Sequence, residues 1–384
     1  MGTLVYIIAG EPSGDILASR MMGALKKMQP DIAFAGIGGE TMMAQGFESL
    51  FNIADLSVMG FWEVVPRLPL ILKRMKQVMA DIEWRQPRII VTVDSWGFVS
   101  SVLQKLKKKE LKIPVVHYVA PQVWAWKKGR APKVAKLMDR LMTLWPYEPP
   151  YFEKYGLRCD FVGHPVIENT SDTTFNLTEF KGRHQIPEIC TLLCVLPGSR
   201  HSEVKRLIPV FKKVVVRLQA HFPDLFVVVP TVGAIAEEVR QGFAEMPVPH
   251  CLITGQQERY HAFRACQFAI AASGTVTLEL TACGAPHLIA YRFSWLTNLM
   301  VKFFVTTKYA NLINVLADRP VIPEFVLDHC RDDLIYEQAL SLMRDSQTAQ
   351  QQVTEARHYF VRLKPEGMMP SEKAAAVVRE EMGR

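Results

Sequence analysis

Short apolar, β-branched runs alternate with stretches of helical periodicity along almost the whole chain. Residues 4–9 read as a strand, after which Ile16, Leu17, Met21, Met22, Leu25 and Met28 fall on one face of a helix. Further strands are predicted at 32–36, 89–93, 115–119, 140–143 and 160–163, and again at 190–196, 225–230, 250–253, 268–272 and 286–290. Strands that are apolar along their length are buried on both faces, which requires helices on both sides of a parallel sheet. The predicted fold class is therefore α/β, with two Rossmann-like doubly wound parallel sheets. After Gly163-His164-Pro165 the segment 168–178 is polar and aperiodic, so the chain should change domains near residue 170. In such sheets ligands sit beyond the carboxyl ends of strands, at helix N-termini, and the turns there are the place to look for chemistry.

Composition narrows the class. With 384 residues, 49% hydrophobic and 22% charged, the chain is long enough for two cores and is not a disordered polymer. Its seven cysteines are odd in number, have mostly apolar neighbours and form no Cys-x-x-Cys pair, so they read as buried thiols of a reducing compartment. No clustered His, His-Glu-x-x-His or Asp-x-Asp occurs, so neither a metal nor a cofactor is expected. The N-terminus has no basic leader, and the longest uncharged runs fall short of the ~20 residues that span a bilayer. A cytoplasmic protein without a spanning helix is expected.

The net charge of +7 is uneven: residues 105–140 hold eleven Lys and Arg against Glu110 and Asp139. A basic face suits nucleic acid, an anionic membrane or a phosphorylated substrate, and equally a plain solvated surface.

The turns after the strands carry the candidate residues. AGEPSGD (9–15) offers Glu11, with Ser13 or Asp15 as helix cap, but is neither a dinucleotide fingerprint nor a P-loop. In VTVDSWGF (91–98), Asp94 beside Trp96 and Phe98 could serve as a partly desolvated base, or Asp94 or Ser95 could simply cap the next helix. YVAPQVWAW (118–126) precedes Lys127-Lys-Gly-Arg130. Trp124 and Trp126 there suit a sugar or a single strand of nucleic acid, or else close the edge of the core. In AASGT (271–275), Ser273, Gly274 and Thr275 offer hydroxyls and amides to a phosphate, and Glu279 one turn on could accept from ribose hydroxyls. LPGSR (196–200) is its counterpart. Arginine at a helix N-terminus opposes the dipole, so Arg200 points to a bound diphosphate gripped together with the Gly198 and Ser199 amides. Finally, Leu68, Leu72 and Met75 belong to an apolar helical stripe beside Arg67, Lys73, Arg74 and Lys76, which reads as core or as a membrane-facing surface.

Taken in order, AGEPSGD (9–15), GIGG (36–39), VMGFWEV (58–64), DSWGF (94–98), YVAPQVWAW (118–126), FVGHP (161–165), LPGSR (196–200), ASGTVTLE (272–279) and YANLINVLADRPVIPE (309–324) resemble the lipid-A-disaccharide synthases. The resemblance implies a GT-B fold, two Rossmann-like domains facing a cleft. It divides the chain into an acceptor and lipid domain (1–168), a UDP-sugar domain (169–345) and a C-terminal helical segment (346–384). It implies an inverting transfer from UDP-2,3-diacylglucosamine to 2,3-diacylglucosamine 1-phosphate, giving a β-1,6-linked disaccharide 1-phosphate and UDP. Asp94 matches the family's essential acid, with Glu11 on the facing turn as the second candidate. Arg200, Glu279 and Asn314 match donor-site residues, with Gly198, Ser199, Ser273, Gly274 and Thr275 around them. Ser13, Trp124, Trp126, Leu68, Leu72 and Met75 fall on the acceptor and lipid side. Many members carry a second acid where Trp96 and Gly97 stand here, which leaves Asp94 alone in its motif. Such a protein is expected at the inner face of the inner membrane, bound peripherally; a homodimer is left open. The rivals are another UDP-sugar GT-B enzyme (a peptidoglycan glucosaminyltransferase or a UDP-sugar epimerase) and a nucleic-acid-binding module. The latter leaves Arg200, Glu279 and Asn314 unexplained, and no nucleic-acid partner is expected.

Overall fold

The computed structural model describes residues 3–56, 61–124, 128–170, 174–292 and 307–384, the side chains of 61–65 and 128 excepted. The chain forms two units, Met1–Ile167 together with Leu363–Arg384, and Glu168–Arg362. The helical segment from residue 346 divides between them: the helix Ser346–Phe360 belongs to the second unit and the helix Pro370–Met382 to the first.

The first unit is built on six parallel strands, β1 (Leu4–Ala9), β2 (Ala33–Ile37), β3 (Ile89–Val93), β4 (Val115–Tyr118), β5 (Arg140–Thr143) and β6 (Arg158–Phe161), in the order β2-β1-β3-β4-β5-β6. The register sets Ala9 beside Val93, so the turns after β1 and β3 lie together where the strand order reverses. β3 is buried along its whole length, as a strand covered on both faces must be. Tyr6, Ile8 and Ile90 pack with Met79 and Ile82 of the helix Phe61–Arg85 and with Val99, Val102 and Leu103 of the helix Trp96–Lys108. The last helix closes this unit. Arg140, buried at the start of β5, donates to Asp160 through Nε (2.6 Å) and Nη2 (2.8 Å) and reaches Glu380 (2.8 Å). Arg158 pairs with Glu381, and Arg88 donates to the Met382 carbonyl (2.8 Å).

The second unit repeats the plan with β7 (Thr191–Leu196), β8 (Leu225–Thr231), β9 (His250–Thr254), β10 (Phe268–Ala272), β11 (His287–Tyr291) and β12 (Glu324–Val326), all parallel, in the order β12-β11-β10-β7-β8-β9. Here the order reverses between β7 and β10. Three-residue β12 is absent from the sequence-based strands because it directly follows Pro320 and Pro323 and is too short to show alternation. Gln352 of the helix Ser346–Phe360 accepts from His287 N–H (2.8 Å) and donates to the His287 carbonyl (3.0 Å), fixing that helix at the start of β11. All seven cysteines are free; Cys159, Cys251 and Cys283 are half-buried, the other four buried as expected.

Candidate functional site

In the first unit the turns after β1 and β3 interlock. Gly10 is glycine because a Cβ there would lie 2.6 Å from Ser95 Oγ. Asp94 and Ser95 both adopt left-handed backbone (φ +52° and +46°), a conformation that costs L-residues about 1–3 kcal/mol each and survives where the surroundings impose it. Neither side chain caps a helix, although both were candidates for that work. Ser13 Oγ instead donates to Asp94 Oδ2 (3.1 Å), and Ser95 Oγ to Glu11 Oε1 (3.1 Å). The two turns are thus cross-linked twice, each giving a serine hydroxyl to the carboxylate of the other. Burial and the Asp94 charge push the Glu11 carboxyl above its usual value, against the Ser95 hydrogen bond. Asp15 does not cap its own helix. It is buried and accepts from the amides of Gly39 (2.7 Å), Thr41 (2.9 Å) and Met42 (3.1 Å), which pins the GIGG turn to AGEPSGD.

Trp124 is buried and belongs to the core edge, not to an open platform. Its Nε1–H donates to Glu148 Oε1 (3.1 Å), and its ring meets Tyr147 edge-on at 5.3 Å. Glu148 also accepts the Leu144 and Trp145 amides (3.2 Å each), so it ties the loops after β4 and β5 together. Burial raises its pKa to about 8 against these three donors. Trp126 lies outside the described residues. The apolar stripe of the helix Phe61–Arg85 divides: Met75 is 5% exposed and packs in the core, whereas Leu68 and Leu72 are 48% and 44% exposed.

In the second unit a cavity of about 450 Å³ opens at the β7–β10 reversal. Gly198, Ser199, Arg200, Ser273, Gly274, Thr275 and Glu279 all line it, so the structure brings seven of the eight expected donor residues together. Arg200 starts the helix His201–Gln219 with its side chain 64% exposed, but it is not alone. Buried Glu203, unnoticed in the sequence, accepts Arg200 Nη1 (2.9 Å) and Tyr291 Oη–H (2.9 Å) on Oε1, and the Ser199 (2.9 Å) and Arg200 (3.3 Å) amides on Oε2. The Ser199 amide expected for a diphosphate is therefore already engaged. Gly198 (φ +115°) is glycine because a Cβ would lie 2.5 Å from Glu203 Oε2. Thr275 starts the helix Val276–Cys283 without a side-chain cap, and Ser273 Oγ donates to the Ala310 carbonyl (3.3 Å) rather than capping. Among the described residues the Gly274, Thr275 and Val276 amides have no acceptor, which leaves this helix start open to an anion.

Asn314 is the eighth and does not reach the cavity. It is fully buried and donates to the Ile322 carbonyl (2.7 Å) and Glu324 Oε1 (2.7 Å), while Oδ1 accepts from Ile322 N–H (2.8 Å). Glu324 in turn accepts the Ala310 and Asn311 amides (2.8 Å each). Asn314 thus supports the turn whose Ala310 carbonyl holds Ser273.

Glu203 was detectable at spacing level, since an acid three residues after a helix start is a capping-box position. Arg259, which also lines the cavity, and Glu148 had no local signal. Among the described residues no three His, Cys, Asp or Glu gather as a metal-ligand set.

Comparison with known proteins extends the picture. Residues 5–378 match the family model described as lipid-A-disaccharide synthetase. The chain is 44% identical over 378 residues to a lipid-A-disaccharide synthase of Paramagnetospirillum magneticum, covering 98% of this chain and 96% of that one. It is 42% identical over 376 residues to that of Rhodospirillum centenum, covering 98% and 94%. Among solved structures it resembles S. aureus MnaA with UDP (TM-score 0.64, 13% identity, 99% and 95% covered). It also resembles WaaG, a glycosyltransferase involved in lipopolysaccharide biosynthesis (TM-score 0.59, 13% identity, 98% and 99% covered). At such identities these structures show the shared GT-B fold alone.

Proposed function

The chain belongs to the lipid-A-disaccharide synthase family and is a glycosyltransferase of lipid A biosynthesis, and from that premise we propose that it joins UDP-2,3-diacylglucosamine to 2,3-diacylglucosamine 1-phosphate with inversion. What carries this reading is the agreement with synthase relatives over nearly the whole chain. In the reaction the 6-hydroxyl oxygen of the acceptor forms a bond to C1 of the donor sugar. The C1–O bond to the diphosphate breaks, and UDP leaves with the electron pair. Attack opposite an α-linked UDP gives the β-1,6 product.

Asp94 takes the hydroxyl proton. Its support is the imposed left-handed backbone and the Ser13 hydrogen bond, which hold one carboxylate in a fixed pose at a strand end. Glu11, on the facing turn and close enough for the Asp94 charge to raise its carboxyl, is the second acid of the pair. The β7–β10 cavity takes the UDP: the unengaged amides at Gly274–Val276 and the exposed Arg200 guanidinium meet the diphosphate, and Glu279 meets the ribose.

Substrates anchored in a bilayer call for a peripheral membrane contact, which we place at Leu68 and Leu72. They are exposed beside the exposed Arg67, Lys73 and Lys76, and among the described residues no helix is long and apolar enough to cross a membrane. The deciding experiment is incubation with the two purified diacyl sugars: UDP and a tetraacyl disaccharide 1-phosphate should appear together. UDP release without disaccharide, or epimerised sugar, would overturn the reading.

A further inference from the structure

The β7–β10 cavity contains a constellation that neither its helix starts nor Arg200 account for. Glu279 is buried, yet only one of its oxygens is committed. Arg259 Nη2 donates to Oε1 (2.9 Å), and Tyr260 Oη–H donates to the same Oε1 (3.1 Å). Oε2 has no partner among the described residues, although Glu279 lines the cavity. Tyr260 is itself oriented, since Gln256 Nε2 donates to its oxygen (3.2 Å). That bond leaves the phenol hydrogen for Glu279. The Arg259 guanidinium also interacts with the neighbouring Tyr260, whose ring centroid lies 5.5 Å from it, and its buried Nε–H has no acceptor among the described residues. The guanidinium thus meets the Glu279 carboxylate together with Tyr260, the second donor to the same oxygen. Burial pushes the Glu279 carboxyl up, and Arg259 and Tyr260 pull against that rise.

From this geometry we infer that Arg259 and Tyr260, consecutive on the helix Gln256–Ala265, are positioning residues that lock Oε1 of Glu279 so that Oε2 is presented to the vicinal hydroxyls of the nucleotide ribose. Two donors converging on one oxygen stop the carboxylate from rotating, and a carboxylate fixed in advance accepts ligand hydroxyls without losing side-chain freedom on binding. The inference rests on the reading of this cavity as the nucleotide site. It goes further in assigning ribose discrimination to two residues that act through a third.

The test is the ratio of the dissociation constants of 2′-deoxy-UDP and UDP, measured by calorimetry on the full chain. UDP should bind about ten-fold or more tightly than 2′-deoxy-UDP, the worth of a hydrogen bond to a charged group. Tyr260→Phe keeps the buried ring and removes only the hydroxyl, and it should shrink the ratio by roughly three-fold or more. Arg259→Leu should shrink it further, and Arg259→Lys should recover part of it. In each variant the preference for UDP over uridine, which reports the diphosphate, should stay as in the parent. A purely structural role would weaken both preferences alike. If Glu279→Gln erased the ratio while Tyr260→Phe and Arg259→Leu left it intact, the positioning role would be wrong. If Glu279→Gln itself left the ratio intact, the nucleotide reading of Glu279 would be the part that fails.

Discussion

At Asp94 the protein bends its own backbone into an unfavourable region to aim one carboxylate, and the neighbouring acid is made harder to ionise. Asp94→Asn preserves shape but cannot take a proton, so turnover should fall about 10²–10⁴-fold with UDP binding kept. The same change removes the charge that raises Glu11, so an acid limb belonging to Glu11 should move to lower pH in the residual activity. Unchanged turnover would transfer the base to Glu11. Glu148 makes a second residue-scale case. Its folded pKa of about 8 stands above the ordinary 4.5, so between those values the folded chain binds a proton that the unfolded chain has lost. Stability therefore falls as pH rises through that window. Glu148→Gln cannot ionise and places an amide N–H against a donor, so it should lower stability by about 1–3 kcal/mol at acid pH but flatten the slope. Urea midpoints of parent and variant at both ends of the window measure this; parallel slopes would place the titration elsewhere.

At the scale of elements, one helix serves two purposes along its length. In Phe61–Arg85 the apolar spacing runs unchanged from the exposed Leu68 and Leu72 to the buried Met75, so periodicity could not separate them. Leu68→Ser with Leu72→Ser should reduce binding to anionic vesicles at unchanged melting temperature. Met75→Ser should destabilise by roughly 2–5 kcal/mol through the cavity it leaves. Vesicle binding that survives the double change would remove the membrane reading of this helix. The start of His201–Gln219 shows a related economy. Glu203 answers the helix dipole and the Arg200 guanidinium together, so the arginine's position is not by itself evidence of a ligand. Arg200→Ala should still weaken UDP binding, because the side chain is exposed at the cavity. Stability should move by no more than about 1 kcal/mol, since exposed pairs contribute little.

For the whole molecule, the path of the chain is the feature that local pattern missed. The first unit is completed by residues 363–384, and Arg140 is the buried cation on which that return depends. Arg140→Ala would leave Asp160, Glu380 and Glu381 facing one another and should cost about 3–5 kcal/mol. Six of the seven tryptophans lie in residues 1–167, so the loss should appear as an earlier fluorescence transition in denaturant. A fluorescence transition at the parent's midpoint would mean that the return is held by packing alone. By itself the sequence determined the strands β1, β3, β5 and β10 to the residue, the parallel α/β class, the family, and the turns that line the β7–β10 cavity. Each of these is written in near neighbours, as an apolar run, a glycine corner or a motif in order. Tertiary structure alone decided that Asn314 spends its amide on Ile322 and Glu324, that Trp124 is core, that Arg259 faces Glu279, and that the last helix belongs to the first unit. Those outcomes depend on which distant donor meets which buried acceptor, and an unpaired polar group in the interior is too costly for the chain to leave such pairings to local preference.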